Sequence, residues 1–485
     1  MASHAVMEDA VSPLRNITLS PASRHIVQGD LLEFTRDPII CMRQLHKACG
    51  DLAVLEEDGQ RLAFVFSPEY NRQVLSNPNT FHCQFFALRG SRRSAQRRVT
   101  SGLLSMNGAE HRENRRIMMD VFTRRFLPQY HETITALTNK FTSAWETGQT
   151  RDLNQEMVRL MQRMSNSLLF GIDDDRYSDE LGDKIDRWVR QNHEVGLGAF
   201  VARPEFREQY DELLLLAEDL ERSVGEMLVR HRQTPHDRLD VLSLMMKAQQ
   251  SEQQLSDERL IGHATLTFAA AHLTTAHTLS WTLFLLSQHP QAMQRLAAEL
   301  ESVGDKPDWT ELQSLKWLDC VIRESMRLLP ASSYSHRITS EPVSVGPLNL
   351  PKGAAVVFSQ FITHHRPDLF EEPEEFRPER WLTINPGAYE YLPFGAGARR
   401  CIGADLAMME IRTALSLILK EHHFQLQSGS QVDGRVVSTM LGPTSSVNAK
   451  LLPVEEIPVT VPVCGAIHQL MQLPEAATTP LHRAA

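Results

Sequence analysis

A short stretch around one cysteine has the residue types and the spacing of a metal-ligand loop. It runs from Phe394 to Gly403 and reads Phe-Gly-Ala-Gly-Ala-Arg-Arg-Cys-Ile-Gly, with the cysteine at position 401. An amphipathic helical pattern, ADLAMMEIRTALSLILKE, follows directly, so Cys401 enters the N-terminus of a predicted helix. The helix dipole and unpaired N–H groups favour a thiolate there, and a bound metal ion would favour it further. Gly395, Gly397 and Gly403 let the backbone turn sharply and approach a bound group closely.

The composition is that of an ordinary globular protein. The 485 residues are 42% hydrophobic and 23% charged, which is enough to bury a large core. The net charge of -10 argues against a nucleic-acid role driven by overall basicity. The six cysteines show no C-x-x-C spacing, so neither a disulfide framework nor a zinc knuckle is indicated and a reducing compartment is expected.

The N-terminal segment carries acids, prolines and polar residues, with no apolar run long enough to span a bilayer. We therefore expect a cytoplasmic protein without a membrane span. Since the sequence contains no internal repeat and no obvious linker, we expect a single domain over residues 1–485. Its tails, at about 1–25 and 465–485, are expected to be flexible.

Helical periodicity dominates the chain. Apolar spacings of three and four residues recur from about residue 108 to residue 330. Leu260–Ser287 is long, has few charges and ends just before His289-Pro290, which predicts a central helix. Short β-like runs lie near residues 50–67 and beyond residue 340. The pattern predicts a mainly α protein with a small β region.

The cysteine loop matches the signature F-x-x-G-x-[HR]-x-C-x-G, and the chain resembles the cytochrome P-450 superfamily in its soluble bacterial-type form. The resemblance implies the mainly helical P-450 fold, a bound haem b (iron protoporphyrin IX) and Cys401 as its iron ligand. It also places Phe394, Arg399 and Gly403 at the haem, with Arg399 next to a propionate. If the glycine spacing or the cysteine stood alone, the competing interpretation would be a glycine-rich turn beside a buried cysteine.

Two further motifs stand upstream of the cysteine in the order of that family. Glu324 and Arg327, at i and i+3, match its E-x-x-R pair and share one helix face. The stretch Phe376–Trp381 resembles its P-E-R-F element, whose arginine, here Arg380, completes a Glu-Arg-Arg network. The network would be structural rather than catalytic, whereas an isolated E-x-x-R pair is usually a surface salt bridge.

A third motif carries candidate propionate ligands. His111 and Arg115, at i and i+4, resemble the H-x-x-x-R helix of the family, in which both side chains contact propionates. Arg337, which follows the loop ASSYSH, matches another propionate-binding arginine. The competing interpretation is a solvated basic helix face.

The predicted central helix carries the register of the family's oxygen-binding motif, A-G-x-[DE]-T-T. Here it reads Ala270-Ala271-His272-Leu273-Thr274-Thr275. The resemblance implies small residues that admit oxygen and substrate at Ala270 and Ala271. It also implies a proton-delivering or oxygen-binding hydroxyl at Thr274, with Thr275 beside it. Packing alone would also explain alanine and threonine in an apolar helix.

Leu273 departs from the family, which usually has Asp or Glu at this position. Because leucine cannot relay a proton, His272, His277 or a chain of waters could replace the acid. The alternatives are that the enzyme uses peroxide, or rearranges its substrate instead of hydroxylating it.

The segment FHCQFFALRGSRRSAQRRVTSGLL falls in the variable loop that covers the substrate pocket of the family. Phe85 and Phe86, together with Leu273, Ala270 and Ala271, are candidate pocket residues. Arginines above an apolar cavity could hold a carboxylate, which suits a hydrophobic small-molecule substrate that bears one. The more common interpretation of such a charge run is a solvated loop. The arginines of this segment are Arg89, Arg92, Arg93, Arg97 and Arg98.

The 84 residues after Cys401 are too few for a flavin reductase domain. We therefore expect electrons from separate proteins, and the resemblance implies a ferredoxin or flavodoxin with its reductase. Such an acidic donor would dock near the cysteine and be attracted by basic side chains. The candidates are Arg112, Arg116, Arg124 and Arg125.

Three functions follow from these residues. The first is a monooxygenase that inserts one oxygen atom of O2 into a C–H or C=C bond of an apolar substrate. The second, motivated by Leu273, is a haem-thiolate peroxygenase or isomerase. The third is a haem-binding protein without catalysis, such as a sensor.

Overall fold

The computed structural model describes residues 18–19, 25–84, 90–122, 127–198, 206–233, 240–252, 256–437 and 439–475. Helices account for most of this part of the chain, as the sequence predicts. They are α1 (Leu31–Arg36), α2 (Pro38–Cys49), α3 (Pro68–Leu75), α4 (Ala95–Val99), α5 (Gly108–Val121), α6 (Leu127–Thr142), α7 (Leu153–Phe170), α8 (Asp175–Gly198), α9 (Phe206–Gln233), α10 (Val241–Glu252), α11 (Asp257–Gln288), α12 (Pro290–Leu300), α13 (Trp309–Ser314), α14 (Lys316–Leu328), α15 (Gln360–His364) and α16 (Ala404–Glu421).

The strands are short and form a smaller β region. The strands are β1 (Thr18–Leu19), β2 (Ile26–Gln28), β3 (Leu52–Glu57), β4 (Gln60–Val65), β5 (Phe81–His82), β6 (Thr150–Asp152), β7 (Ser335–Thr339), β8 (Val343–Val345), β9 (Leu348–Leu350), β10 (Ala355–Phe358), β11 (His423–Leu426), β12 (Ser430–Gln431), β13 (Gly434–Val437), β14 (Met440–Pro443), β15 (Asn448–Leu452) and β16 (Val463–Cys464). The largest sheet has six strands in the order β2-β3-β4-β10-β7-β5, and β10 runs parallel to β4 and antiparallel to β7.

The β-like signal near residues 50–67 is a hairpin. Strands β3 and β4 pair in antiparallel register, with Leu52 opposite Val65. Asp58 and Gly59 between them have φ values of 48° and 79°. Two consecutive positive φ values belong to the tight turn that matches the twist of paired strands, and Asp-Gly is its favoured sequence.

Helix α11 runs through the centre of the fold. Ser256 caps its N-terminus by accepting a hydrogen bond from the backbone of Arg259, and it ends at Gln288, before His289-Pro290. Trp281 and Phe284 are fully buried in the main core. It packs against α7, α14 and α16, among other elements. A helix that is apolar on nearly every side is stable only when other elements surround it, so the central position predicted for Leu260–Ser287 is confirmed.

A buried charge cluster anchors the chain that leads to the cysteine loop. Arg327 forms a bidentate pair with Glu324 at 2.9 and 3.0 Å, and Arg380 approaches the same carboxylate at 3.0 Å. The Trp381 indole N–H donates to the other carboxylate oxygen at 2.9 Å. Glu324 and Arg327 are completely buried. The structure thus brings together the three residues that the resemblance assigns to a structural network.

The two guanidinium groups also satisfy backbone carbonyls of the irregular segment that precedes the cysteine loop. The extra hydrogen bonds use donors that the carboxylate leaves free, so no described N–H of this cluster is stranded in the core. The acceptors of Arg327 are His364, Pro373 and Glu375, and those of Arg380 are Glu371 and Glu372.

The chain is still packed after residue 465, where the sequence pattern predicted a flexible tail. Residues Ala466–Gln469 form a 3-10 turn, and Ile467, Leu470 and Met471 are buried. The expectation of a flexible tail from residue 465 is therefore wrong for residues 466–471. Their apolar side chains, three and four residues apart, pack into the main core.

We expect Glu324→Gln to lower the free energy of unfolding by about 3–5 kcal/mol, because it leaves two buried guanidinium groups without their counter-charge. Urea unfolding followed by circular dichroism measures the change. Glu455→Gln, at an exposed site, is the matched control and should leave the midpoint unchanged. An equal midpoint in both variants would contradict a buried ionic cluster.

Candidate functional site

A central cavity of about 330 Å³ lies between α11 and the cysteine loop. This volume is within the range of ligand pockets, ~300–1,000 Å³. Much of its lining is apolar and comes from six elements. Examples are Met118 of α5, Leu169 of α7, Leu266 of α11, Met326 of α14, Phe358 of β10 and Leu406 of α16.

Cys401 opens into this cavity. Its backbone N–H donates to the carbonyl of Phe394 at 2.8 Å, which closes the loop just before α16 begins at Ala404. Burial raises the pKa of the thiol, while the N–H of Gly403 and the charge of Arg115 oppose that rise. Of the six cysteines, all within the described residues, Cys401 is the one that lines the cavity.

Two glycines of the loop are required by its geometry. Gly395 and Gly397 have φ values of 64° and 68°, where side chains with a Cβ are strained. A Cβ on Gly397 would also lie 2.2 Å from the carbonyl oxygen of Leu75. Gly403, with φ of -90°, does not need glycine for its conformation, which corrects that part of the prediction. Gly403 and Gly395 both line the cavity, and a Cβ on either would meet no atom within 4 Å.

Five basic residues line the same cavity, and four of them are the predicted propionate ligands: His111 and Arg115 of α5, Arg337 of β7, and Arg399 of the cysteine loop. The fifth is Arg400. Burial and the nearby charges of Arg337 and Arg115 lower the pKa of Arg399 to about 10. Burial and the same kind of repulsion lower the pKa of His111 to about 4. The sequence-predicted propionate ligands are therefore brought together.

These arginines bond to backbone and amide oxygens instead of carboxylates. Arg399 donates to the carbonyl of Met106 and, at 2.7 Å, to Oδ1 of Asn107. Arg115 donates to the carbonyl of Arg400 at 2.7 Å, and Arg337 donates to its neighbour's carbonyl at 2.8 Å. Within the described ranges, none of the three has an ion pair with an acid. Such a cluster is suited to binding an anion.

One face of α11 presents small and hydroxyl-bearing residues to the cavity. Ala270, Ala271, Thr274 and Thr275 all line it. The hydroxyls of Thr274 and Thr275 donate to the carbonyls four residues back, each at 3.0 Å. These hydroxyls therefore still have oxygen lone pairs that can accept a hydrogen bond from a ligand or water.

Leu273 does not line the cavity, so its prediction as a pocket residue is wrong. Successive residues of an α-helix point about 100° apart around its axis. Thr274 can therefore line the cavity while its neighbour Leu273 does not. Neither His272 nor His277 lines the cavity either. Their suggested role as direct replacements for the missing acid is therefore not supported.

His272 points instead toward α8. Its Nε2 lies 2.5 Å from Oδ1 of Asp186, and its Nδ1 lies 3.0 Å from the carbonyl of Phe268. Burial lowers the pKa of His272, but the charge and hydrogen bond of Asp186 outweigh burial, so the net pKa is raised. Gln162 of α7 also donates to Asp186, at 3.2 Å. The His272–Asp186 pair, together with Gln162, thus links α11, α8 and α7.

Glu410 and Gln360 are among the polar residues of the cavity that sequence reasoning missed. Glu410 is buried in the wall formed by α16, and Gln360 of α15 has a buried amide oxygen without a described partner. A signal for Glu410 was present, since it stands one residue after buried Met409 and four before buried Ala414, on the apolar face of an amphipathic helix. No sequence pattern pointed to Gln360.

The described arginines of the basic loop do not line the cavity, although Leu103 and Leu104 at the end of the same segment do. Phe85, Phe86 and Arg89 lie outside the described residues. Arg98 is paired with Glu221 of α9, at 2.7 Å between Nη2 and Oε2. The other three arginines, Arg92, Arg93 and Arg97, are exposed. The described arginines thus match the interpretation as a solvated loop.

The cavity fits haem b. It combines an accessible thiol, apolar walls, open space beside two glycines, and a cation cluster without acids that would suit the two propionates. Cys401 would bind the iron, and Arg115, Arg337 and Arg399 would hold the propionates. The fit rests on donors of the types that this group needs.

We expect Asp186→Asn to lower the free energy of unfolding by about 1–3 kcal/mol at pH 6, because it removes the charged partner of buried His272. A raised histidine pKa stabilises the fold fully below pH 6.5 and less as the pH rises through the folded-state pKa. The difference from wild type should therefore shrink at pH 9 in chemical unfolding. Asp183→Asn, one turn earlier and exposed, is the control. A difference independent of pH would contradict a charged pair.

Three comparisons with known proteins bear on the family. The family model of cytochrome P450 matches residues 19–446. The cyclooctat-9-en-7-ol 5-monooxygenase of Streptomyces melanosporofaciens is 30% identical over 408 residues, covering 80% of this chain and 86% of that protein. The pentalenene oxygenase of Streptomyces avermitilis is 27% identical over 432 residues, covering 86% and 93%.

A solved structure shares the fold. The retinoic acid-bound cyanobacterial CYP120A1 aligns with a TM-score of 0.74 at 22% identity, over 85% of this chain and 93% of that one. In the described part of the chain, no helix has both the length and the apolar character needed to cross a membrane.

The family match shows the family to which the chain belongs. It spans most of the chain, and the similar proteins include named monooxygenases. Members of this family bind haem b through a cysteine thiolate. The chain belongs to the cytochrome P450 family and is an oxidoreductase of the monooxygenase type.

Proposed function

We propose that this protein oxygenates an apolar organic substrate in the central cavity, at a haem b ligated by Cys401. The observation that carries the proposal is that Cys401 alone among the cysteines lines the cavity that also holds the cation cluster. When bound, haem b supplies oxygen binding and cleavage of the O–O bond, which thiolate donation promotes.

The chain's own residues bind and orient this group. Arg115, Arg337 and Arg399 neutralise the propionates, and His111 adds a hydrogen bond from the same end of the cavity. Phe394 and Gly403 line the cavity beside the cysteine. Since these basic residues pair with no carboxylate in the described part of the chain, binding costs little in broken ion pairs.

The wall formed by α11 prepares the cavity for oxygen and substrate. Ala270 and Ala271 leave space, and the Thr274 hydroxyl, whose one proton goes to the Ala270 carbonyl, can accept a hydrogen bond from a water beside bound oxygen. Thr275 is more deeply buried and supports the same helix turn. These two hydroxyls are the proposed catalytic side chains of the helix.

The lining favours an apolar substrate. Leu104, Leu169 and Leu266 line the cavity, and the described arginines of the basic loop lie outside it. Two similar proteins are named for oxygenation of cyclooctat-9-en-7-ol and of pentalenene. We propose a substrate of comparable polarity, without a need for a carboxylate.

We propose electron delivery by a separate ferredoxin or flavodoxin, reduced by its own reductase, at the surface near Cys401. Arg112, Arg116 and Arg400 are exposed there, and Arg115 joins α5 to the cysteine loop through the Arg400 carbonyl. This basic surface suits an acidic donor. Two other candidates, Arg124 and Arg125, lie outside the described residues.

Cys401→Ser should abolish the strongly red-shifted Soret band of the reduced, CO-bound protein, because serine cannot supply a thiolate. The absorption difference spectrum after dithionite and CO measures this band. Cys464→Ser, exposed and away from the cavity, should keep it. A red-shifted band in Cys401→Ser would overturn the assigned ligand.

Arg112→Glu should raise the KM for a reduced ferredoxin about tenfold at low salt, and less at high salt, because screening weakens steering. Stopped-flow reduction at several salt concentrations measures the effect. Arg176→Glu, on a 90% exposed side chain of α8, is the control. An unchanged KM in Arg112→Glu would place the docking surface elsewhere.

The absence of an acid at position 273 favours one alternative, a peroxygenase or isomerase that needs no electron donor. Turnover with hydrogen peroxide alone, compared with turnover with ferredoxin, reductase and O2, separates the two. Faster turnover with peroxide alone would favour this alternative over the monooxygenase.

A further inference from the structure

A polar area of the cavity wall lies outside α11 and has no assigned role in binding haem. It is made by Gln360 at the start of α15, Ser332 in the segment before β7, and Ser335 in β7. Apolar residues such as Ala331 and Phe358 line the cavity beside it. The few polar groups in a mostly apolar ligand cavity fix the orientation of the ligand. These side chains are therefore candidates for recognising the substrate.

Gln360 carries an acceptor that no described residue satisfies. The residue is 3% exposed, and its Oε1 atom is buried without a hydrogen-bond donor. Buried polar atoms are almost always paired, because leaving one unpaired is costly. Ser165 Oγ, on α7, is also unpaired among the described lining residues, but a serine hydroxyl can rotate and serve as donor or acceptor. The amide oxygen can accept only, so its missing partner is a donor.

The backbone on both sides of Gln360 is fixed. Ser359 is the N-cap of α15, and its hydroxyl donates to the carbonyl of Ser333 at 3.0 Å. The Phe361 N–H donates to the same carbonyl at 2.9 Å. These bonds tie Gln360 to the segment that carries Ser332. A group that is held in place before the ligand arrives loses little conformational entropy when it binds.

Ser332 orients the amide group of Gln360. The Nε2 atom donates to Ser332 Oγ at 3.4 Å, which leaves Oε1 as the open end of the amide. The hydroxyl proton of Ser332 has no described acceptor, so it is free to be donated. Ser332 also forms a β-bridge with Met440, the first residue of β14, and β14 packs against α11. The Gln360–Ser332 pair therefore lies on the side of the cavity that α11 forms.

The pair offers one acceptor and one donor to the same ligand group. An alcohol fits both, because its O–H donates to Gln360 Oε1 while its oxygen accepts from Ser332. A ketone has no proton to donate, and a carboxylate would place negative charge against the lone pairs of Oε1. The α11 hydroxyls at Thr274 and Thr275 already donate to backbone carbonyls, so they do not supply the same donor.

We propose that Gln360 and Ser332 bind a hydroxyl group of the substrate, and that the substrate is an apolar alcohol without a carboxylate. The inference rests on the proposed function and specifies the substrate class of the same cavity. The bound hydroxyl holds one end of the substrate at the wall. It thereby determines which carbon of the substrate faces the bound oxygen.

The requirement for a donor is tested with ring compounds that share one skeleton. Cyclododecanol and cyclododecanone differ only in the polar group, and isothermal titration of the haem-loaded protein without an electron donor measures both Kd values. Wild type should bind the alcohol about tenfold more tightly than the ketone, the ratio expected for one net hydrogen bond. Equal Kd values, or no binding of the alcohol, would overturn the proposal.

Gln360→Leu removes the acceptor and keeps a side chain of similar size. It should weaken the binding of cyclododecanol about tenfold and leave the binding of cyclododecane equal or tighter. Ser332→Ala should weaken the binding of the alcohol by a smaller factor. Gln288→Leu is the matched control, because Gln288 is a buried glutamine with an unpaired amide that does not line the cavity. An equal ratio of alcohol to hydrocarbon affinity in Gln360→Leu and Gln288→Leu would contradict the assigned contact.

The position of oxidation is a readout that a purely structural residue would not change. Because a hydroxyl held by Gln360 limits which ring carbons face the oxygen, wild type should convert cyclododecanol to a narrow set of diols. Gln360→Leu should give a broader mixture, and gas chromatography with mass spectrometry measures both. The same distribution of diols in wild type and Gln360→Leu would reject the orienting role.

The CO difference spectrum separates this inference from the proposed function. A red-shifted band in Gln360→Leu, together with an unchanged ratio of alcohol to hydrocarbon affinity, would reject the role of Gln360 and leave the monooxygenase intact. A missing band in wild type would reject the proposed function itself.

Discussion

The carboxylate of Glu324 is the fixed point on which the site depends. It lies in the core with two guanidinium groups and one indole N–H around it, each within 3.0 Å. Removing any one partner would leave a charge or donor without compensation in a low-dielectric interior. Because Arg327 and Arg380 also hold five backbone carbonyls of the segment before the cysteine loop, the cluster fixes where that loop begins.

The cysteine loop, which follows the segment held by this cluster, forms one wall of the cavity. Gly395 and Gly397 adopt backbone conformations that other residues resist, and Gly397 lies against the carbonyl of Leu75. The chain can then present the Cys401 thiol to the cavity and start α16 three residues later. Cations from α5, β7 and the loop itself line the same cavity, so three distant parts of the sequence contribute to it.

Sequence reasoning identified the parts of the site that depend on residue type and order. Cys401, Thr274 and the basic residues at 111, 115, 337 and 399 all line one cavity. It misjudged Leu273, because a position in a helix register does not say which face turns inward. It also left the role of His272 open and missed the burial of Glu410, since both depend on which residues pack against these side chains. For His272 the deciding neighbour is Asp186, 86 residues away.

Two elements of the fold could be predicted because local residue chemistry determines them. The helix from Asp257 to Gln288 is apolar on nearly every side, and the Asp58-Gly59 turn dictates a hairpin, so local chemistry fixes both. The C-terminal residues Ile467, Leu470 and Met471 were misread because three apolar side chains after a glycine carry too little periodicity to indicate burial.

The central claim is that the Cys401 sulfur binds the haem iron, and resonance Raman spectroscopy of the ferric protein tests it most directly. The experiment uses a variant in which Cys401 is the one remaining cysteine, with serine at the other five positions: Cys41, Cys49, Cys83, Cys320 and Cys464. We predict an iron–sulfur stretching band that shifts to lower frequency when the protein is grown with heavy-sulfur cysteine. A haem-loaded variant with no band sensitive to the sulfur isotope would contradict the account.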